Sequence, residues 1–441
     1  MPPGDEQGTA QRHGRTAHRV RLLLTVLAFA AAIGPTTLRT VSTFDVPAAT
    51  DATPNGMGDF RDAIYYPTAA YLAGVDPYGP GYRQFHPRQS EFPLFSPLTF
   101  LVHLPFGLLP YSWAAGLYYA LQVLLIVVLA RLLLGVCGID TSWPAVFGVA
   151  ALIAISRPVH VNMVLGQLGL TMMLGCLLAL DSGRSKPWLA GLGLALVTIK
   201  PNYAVPLVVL MLCRRHFRAV VTGLIVSGAA TAVVTTVLVA RAGGLTEFVH
   251  QLLATYGSLA QHPGLASIDG AGGRFDALSI VLRFSSLPPP GSVKLVVFFG
   301  CLLLAGGAVL RLSQRPNEQG ADGLSAAVIC LCVLTCIYHN SYDAALLFIP
   351  AMAVAAGRNP TWRHMGNRAR WALAGLLALP LLNYVSTRQV TQRLSLDGGA
   401  LDFVMSINSV VIFSLFVALA GWALVLDRHG SAAISWKTPR A

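Results

Sequence analysis

Asp59 and Asp62 stand three residues apart in a stretch, 59–73, whose alternation of polar, aromatic and apolar residues suits an amphipathic helix on a membrane surface, so both carboxylates share one face. A carboxylate in a partly apolar setting beside a bilayer is a candidate general base. The plainer alternative is a solvated loop acid or a helix N-cap. Lys200 lies inside the apolar run 190–212 and is followed by Pro201. Placing a lysine at that depth costs about 2.5–3.5 kcal/mol on insertion scales, so such a residue faces a polar cavity or a partner. It is a candidate cation for a buried anion such as a lipid phosphate; the alternative is that it caps the carbonyl freed by Pro201. His339, Tyr342 and Asp343 sit in a polar break between two apolar runs. A turn needs fewer ionisable groups than this, although interfacial tyrosines are ordinary there. Arg83, His86 and Arg88 form a basic cluster suited to a phosphate or to lipid headgroups. Asn162 and Gln167 lie on or beside an apolar helix as candidate cavity-lining groups, or as interhelical hydrogen-bonding residues. His103 reads as a packing histidine.

These residues need a frame, and the composition allows one kind. Of 441 residues, 54% are hydrophobic and only 11% charged. Soluble domains carry about a quarter charged residues, so a soluble enzyme, a disordered chain and a coiled coil are all excluded. The expected fold is an all-α polytopic membrane protein of about twelve transmembrane helices, near 22–38, 95–110, 112–136, 143–157, 160–181, 187–213, 219–240, 293–311, 323–338, 342–357, 369–386 and 402–426. The runs 95–110 and 143–181 leave open whether they cross fully or re-enter. The net charge is +12, and the dense basic loops at 214–218, 311–315 and 358–370 fall on one side of this path. That pattern predicts a basic cytoplasmic tail, 1–20, a single membrane domain, 21–426, and a cytoplasmic tail, 427–441, in the plasma membrane. Two long loops, 39–94 and 241–292, then face outward, each with amphipathic helical stretches, and the first is the candidate catalytic loop.

The seven cysteines sit in or at the edge of apolar runs without CxxC pairing and read as packing residues. No Walker sequence, dinucleotide fingerprint, HExxH, GxSxG or D-x-D is present. No metal-ligand set and no cofactor are expected, and the positive charge belongs to membrane topology rather than to nucleic acid. The sequence names no protein partner.

Several of these stretches together resemble glycosyltransferase family 87, membrane enzymes of the GT-C type that take sugars from polyprenyl phosphates. They are Gly58-Asp59-Phe60, Gly74-x-Asp76-Pro77-Tyr78, the segment Phe95-Ser96-Pro97 through Pro105-Phe106-Gly107-Leu108-Leu109-Pro110, Asn162-x-x-x-Gly166-Gln167, Ile199-Lys200-Pro201, and His339 to Asp343 followed by Leu346-Leu347-x-x-Pro350. The likeness runs from about 58 to 350. It departs at Phe95-Ser96-Pro97, where the family often has Tyr-Pro-Pro, and after Asp59. It implies a GT-C-type fold and transfer of a sugar from a polyprenyl phosphate; the family includes mannosyl- and arabinofuranosyltransferases, but no close match to either fixes the sugar here. The expected reaction is transfer of a sugar of the mannose or arabinofuranose class to a glycolipid or polysaccharide on the outer face of the plasma membrane, and a single base without a covalent step predicts inversion. The likeness implies Asp59 as base, with Asp62 the second candidate, and Lys200 and His339 lining the same cavity. The competing class is a transporter or flippase for a lipid-linked sugar, which also accommodates an intramembrane lysine and broken helices.

Overall fold

The structure is a computed structural model that describes residues 5–42, 44, 57–86, 95–261, 273–285 and 290–426. Among these residues it is all helical, with one isolated β-bridge between Arg274 and Asn340. Five helices are long and apolar enough to cross a membrane: Thr16–Val41, Tyr111–Val136, Phe217–Ala242, Gly291–Leu312 and Gly398–Val425. A sixth crossing is formed if Trp143–Ile155 and Arg157–Leu165, bent by 74° at Ser156, count as one broken span. Gly169–Ser182, Pro187–Val197, Pro201–Cys213, Leu324–Cys336 and Ser341–Ala356 are apolar but shorter.

The backbone departs from the expected spans where proline and glycine dictate it. The run 95–110 folds as two short helices, Leu98–Val102 and Leu104–Gly107, and is too short in either piece to cross. The segment 187–213 is not one span but a hairpin with Lys200 at its apex. Pro201 disfavours helical geometry at the residue before it, and Lys200 is extended, with φ −112° and ψ 100°. Its two arms return to the same end, because Arg214 donates to the Leu180 carbonyl while His216 packs against Gly183. The first arm lies close against Gly169–Ser182. A Cβ on Gly193 would sit 2.6 Å from the Gly175 carbonyl, so only glycines allow this approach.

The expected helix at 59–73 is present as Gly58–Phe60, a π turn Arg61–Tyr65 and Tyr66–Leu72. Its apolar face packs on protein. Phe60, Ala63, Ile64, Pro67, Thr68 and Ala70 are buried against protein. Phe60 stacks on Tyr118, with ring centroids 4.3 Å apart, and meets Phe106 edge-on.

The helices gather their ends into two polar layers. At one, Arg214 bonds the Glu318 and Gly320 carbonyls, His216 bonds Gln319, and Thr361 bonds Glu318, tying the basic loops together. At the other lie Asp59, Gln167, Lys200, His339 and Asp343.

Candidate active site

Asp59 sits in the first helical turn of 58–72, after Met57, whose backbone is left-handed and whose N–H donates to the Val164 carbonyl at 2.5 Å. Its carboxylate accepts a 2.5 Å hydrogen bond from the Gln167 side-chain amide. Gln167 is delivered there by a tight turn. Gly166 ends the Arg157–Leu165 helix with φ +71°, and a Cβ on it would lie 2.5 Å from that of Phe60. The Gln167 N–H then bonds the Asn162 carbonyl at 2.9 Å. Tyr118 donates to the Gln167 carbonyl at 3.3 Å.

Asn162 holds the other side of the same bracket. Its Oδ1 accepts from the Gly169 N–H at 2.8 Å, and its Nδ2 donates at 2.9 Å to both the Pro158 and the Tyr342 carbonyls. Both of its amide hydrogens and its oxygen are engaged, and one side chain joins the turn that carries Gln167 to the segment carrying Asp343.

Lys200 and Asp343 are a buried ion pair, Nζ to Oδ1 2.9 Å, with side chains 6% and 1% exposed. The second Asp343 oxygen accepts from His339 Nδ1 and from the Asn340 N–H, each at 3.1 Å. The ammonium also lies 4.8 Å from the Tyr342 ring centroid and 5.6 Å from that of Tyr203. Asn340 supports the turn by donating to the Tyr338 and Tyr342 hydroxyls. His339 Nε2 and Gln167 Oε1 are buried and have no hydrogen-bond partner among the described residues. Buried polar atoms are normally satisfied, so these two, beside Asp59 and Asp343, are atoms that a bound ligand could meet.

The structure separates the sequence candidates into two groups. Asp59, Asn162, Gln167, Lys200, His339, Tyr342 and Asp343 converge, and Asp59 is close enough to Tyr342 to act on it electrostatically. Asp62 goes elsewhere: Arg61 binds it bidentately at 2.7 and 3.0 Å, and His86 Nε2 approaches it at 3.5 Å. Among the described residues His86 thus lies beside the Asp62 carboxylate, which Arg61 also binds. Arg83 is exposed on the turn Tyr82–Phe85, and Arg88 falls outside the described residues. Asp76 serves the turn after the helix, accepting from the Tyr78 N–H at 3.0 Å; burial lifts its carboxyl above the ordinary value. His103 is buried on the Thr99 carbonyl, in keeping with packing.

Tyr203, Arg274 and Asp276 carried no functional signal in the sequence. Tyr203 meets His339 edge-on at 4.7 Å, and Arg274, bidentate to Asp276, stacks over Tyr338 at 4.7 Å. Only an interruption of an apolar pattern could have flagged them, and all three lie where that pattern is already broken.

The model of glycosyltransferase family 87 matches residues 94–338. The chain belongs to glycosyltransferase family 87. No curated protein and no solved structure matches it. The matched region of this membrane glycosyltransferase contains Asn162, Gln167 and Lys200 and stops one residue short of His339. Membership favours the transferase over the transporter. Were Asp59 the general base, Gln167→Leu would cost about tenfold or more in rate, since a hydrogen bond to a charged group is worth about 1.5–3 kcal/mol. The bond favours the carboxylate, so its loss would then move the acidic limb of the pH–rate profile to higher pH. A profile that merely scales down would show that Gln167 only packs.

Proposed function

We propose that this glycosyltransferase moves a sugar of the mannose or arabinofuranose class from a polyprenyl phosphate to a glycolipid or polysaccharide acceptor on the outer face of the plasma membrane, with Asp59 as general base. The observation that carries this reading is the bracket built on Asn162, which holds a partly exposed carboxylate beside a buried Lys200–Asp343–His339 group. Nucleotide sugars are made in the cytoplasm, so transfer outside needs a lipid-carried donor.

Asp59 takes the proton of the acceptor hydroxyl as that oxygen forms its bond to the anomeric carbon. The bond from that carbon to the phosphate oxygen breaks, and its electron pair leaves with the polyprenyl phosphate. The carboxylate also favours the positive charge that develops at the anomeric carbon. One base and no covalent intermediate give inversion. On the leaving side, Asp343 accepts from Nδ1 of His339, which leaves the buried Nε2 as the ring atom that can meet the phosphate. Lys200 adds a second positive charge, shared with Asp343.

One further feature supports a donor carried on a lipid. An apolar groove of about 370 Å³ runs between the helices Ala277–Ser285, Gly291–Leu312 and Gly398–Val425, lined by residues such as Ile280, Val297, Leu304 and Phe416. It begins two residues beyond Phe275, whose N–H donates to the His339 carbonyl and whose ring lies along that of His339.

The test joins stereochemistry to sidedness. NMR of the product from a synthetic polyprenyl-phosphate sugar should show the opposite anomer from the donor; retention would remove the single-base mechanism. Cysteines placed at exposed Pro80 and Arg83 should react with an impermeant maleimide on intact cells, and one at Arg368 only after permeabilisation. The reverse pattern would put the site inside and end the argument for a lipid-linked donor.

A further inference from the structure

The accessible face of the 58–72 helix carries more chemistry than one base. Gly58, Asp59, Asp62, Tyr66, Ala69, Tyr71 and Leu72 are its partly exposed positions; Asp59, Asp62, Tyr66 and Ala69 follow one another at spacings of three and four, and the residues between them are buried. A π turn, Arg61–Tyr65, lies in the middle of this row. Such turns insert an extra residue, weaken the regular ladder and recur at functional sites.

Past Asp59 along this face the surroundings change character. Asp62 is 14% exposed and held from behind by Arg61, itself 5% exposed. Tyr66 is flanked by rings: His86 meets it at 4.9 Å and 68°, and Tyr111 lies parallel to it within 8° at 6.4 Å. The Tyr111 hydroxyl is buried, has no hydrogen-bond partner among the described residues, and is within electrostatic reach of Asp62 and Arg61. Burial lifts the Tyr66 hydroxyl above its ordinary value, so it stays a neutral donor. Nothing in the transfer step assigned to Asp59 and the Lys200–His339 group uses these side chains.

Their chemistry suits a sugar ring. Its C–H face packs on an aromatic ring, and its hydroxyls pair with a fixed carboxylate and with phenol groups. The position suits the acceptor. In an inverting displacement the nucleophile and the leaving phosphate lie on opposite sides of the anomeric carbon. The phosphate belongs beside His339 and Lys200, so the acceptor must reach Asp59 from the other direction, along the row that leads to Tyr66.

We propose that Tyr66, Tyr111, Asp62 and His86 form the acceptor subsite, which takes the sugar ring bearing the reacting hydroxyl, stacks it on Tyr66 and fixes its hydroxyls through Asp62. This rests on the reading of Asp59 as the base. Asp62 is a binding residue in this account, not a second base, and Arg61 positions it.

Photolabelling tests the subsite without relying on turnover. The probes are octyl mannoside and octyl arabinofuranoside carrying a diazirine on the sugar, applied to the purified full-length protein, with labelled peptides mapped by mass spectrometry. Label is expected within 59–72, 82–86 or the start of Tyr111–Val136. Tyr66→Ala should cut it by about fivefold, the scale of one lost aromatic contact, and Tyr66→Phe should keep most of it. Asp62→Asn is the second variant, read in the same way if Tyr66→Ala does not elute as a folded protein. Absence of label, label confined to the Lys200 and His339 peptides, or wild-type labelling of the folded variants would overturn the proposal. Asp59→Asn should label normally. If that variant also turned over normally, the base assignment would fall while the labelling still decided the subsite.

Discussion

Lys200→Met is expected to destabilise the protein by about 3–5 kcal/mol and to abolish transfer, because it leaves Asp343 as an uncompensated buried carboxylate. Asp343 has no solvent to fall back on, being 1% exposed. Asp343→Leu should be as damaging, since it strands Lys200 and releases His339 Nδ1 as well. The informative protein is the double variant Lys200→Met/Asp343→Leu. Removing both charges of a buried pair is often close to neutral for stability, so thermal unfolding should return most of the way toward wild type. Transfer should not return, because the cation and the orientation of His339 are both gone. A double variant that regained activity along with stability would show that the pair only holds the Lys200 hairpin to the 338–343 turn.

Asp59→Asn is the second large effect. The substitution keeps the size and a polar group facing Gln167 while removing the base, and should cost at least about a hundredfold in rate. Donor binding should survive, because the donor phosphate is assigned to the opposite side of the Asn162 bracket. Asp62→Asn should cost less in rate at saturating acceptor and show itself mainly in acceptor KM. If Asp62→Asn were the dead variant and Asp59→Asn the active one, the base would sit one helical turn further along the same face.

How much of this was legible in the chain differs from residue to residue. The helical class follows directly from the scarcity of charge. Lys200, His339 and Asp343 stood out because ionisable groups are costly among apolar residues. That Lys200 pairs with Asp343 was not legible, since the partners are 143 residues apart and meet only through the packing of the hairpin on the 341–347 turn. The 59–73 helix was found but misplaced. An apolar face looks the same whether it meets lipid or the rings of Phe106 and Tyr118. His86 was read with Arg83 and Arg88 as a basic cluster; the Asp62 carboxylate beside it, distant in the chain, was not legible. The hairpin at 187–213 was hidden in an apolar run long enough for a span; only Pro201 hinted at the break. Asn162 and Gln167 carried a family pattern without a mechanism, and the mechanism is geometric: the left-handed Gly166 lets one turn grip two distant segments.

The central claim is that a carboxylate at Asp59 activates an acceptor against a lipid-linked donor, and a single assay of purified enzyme addresses it. Wild type and Asp59→Asn are supplied in parallel with synthetic polyprenyl-phosphate mannose, polyprenyl-phosphate arabinofuranose and the corresponding nucleotide-activated sugars, with alkyl glycosides as acceptors. The account predicts transfer by wild type from one of the lipid-linked donors, none from a nucleotide sugar, and a rate lower by at least about a hundredfold in Asp59→Asn. Transfer from a nucleotide sugar, or near wild-type turnover of the lipid-linked donor by Asp59→Asn, would contradict it.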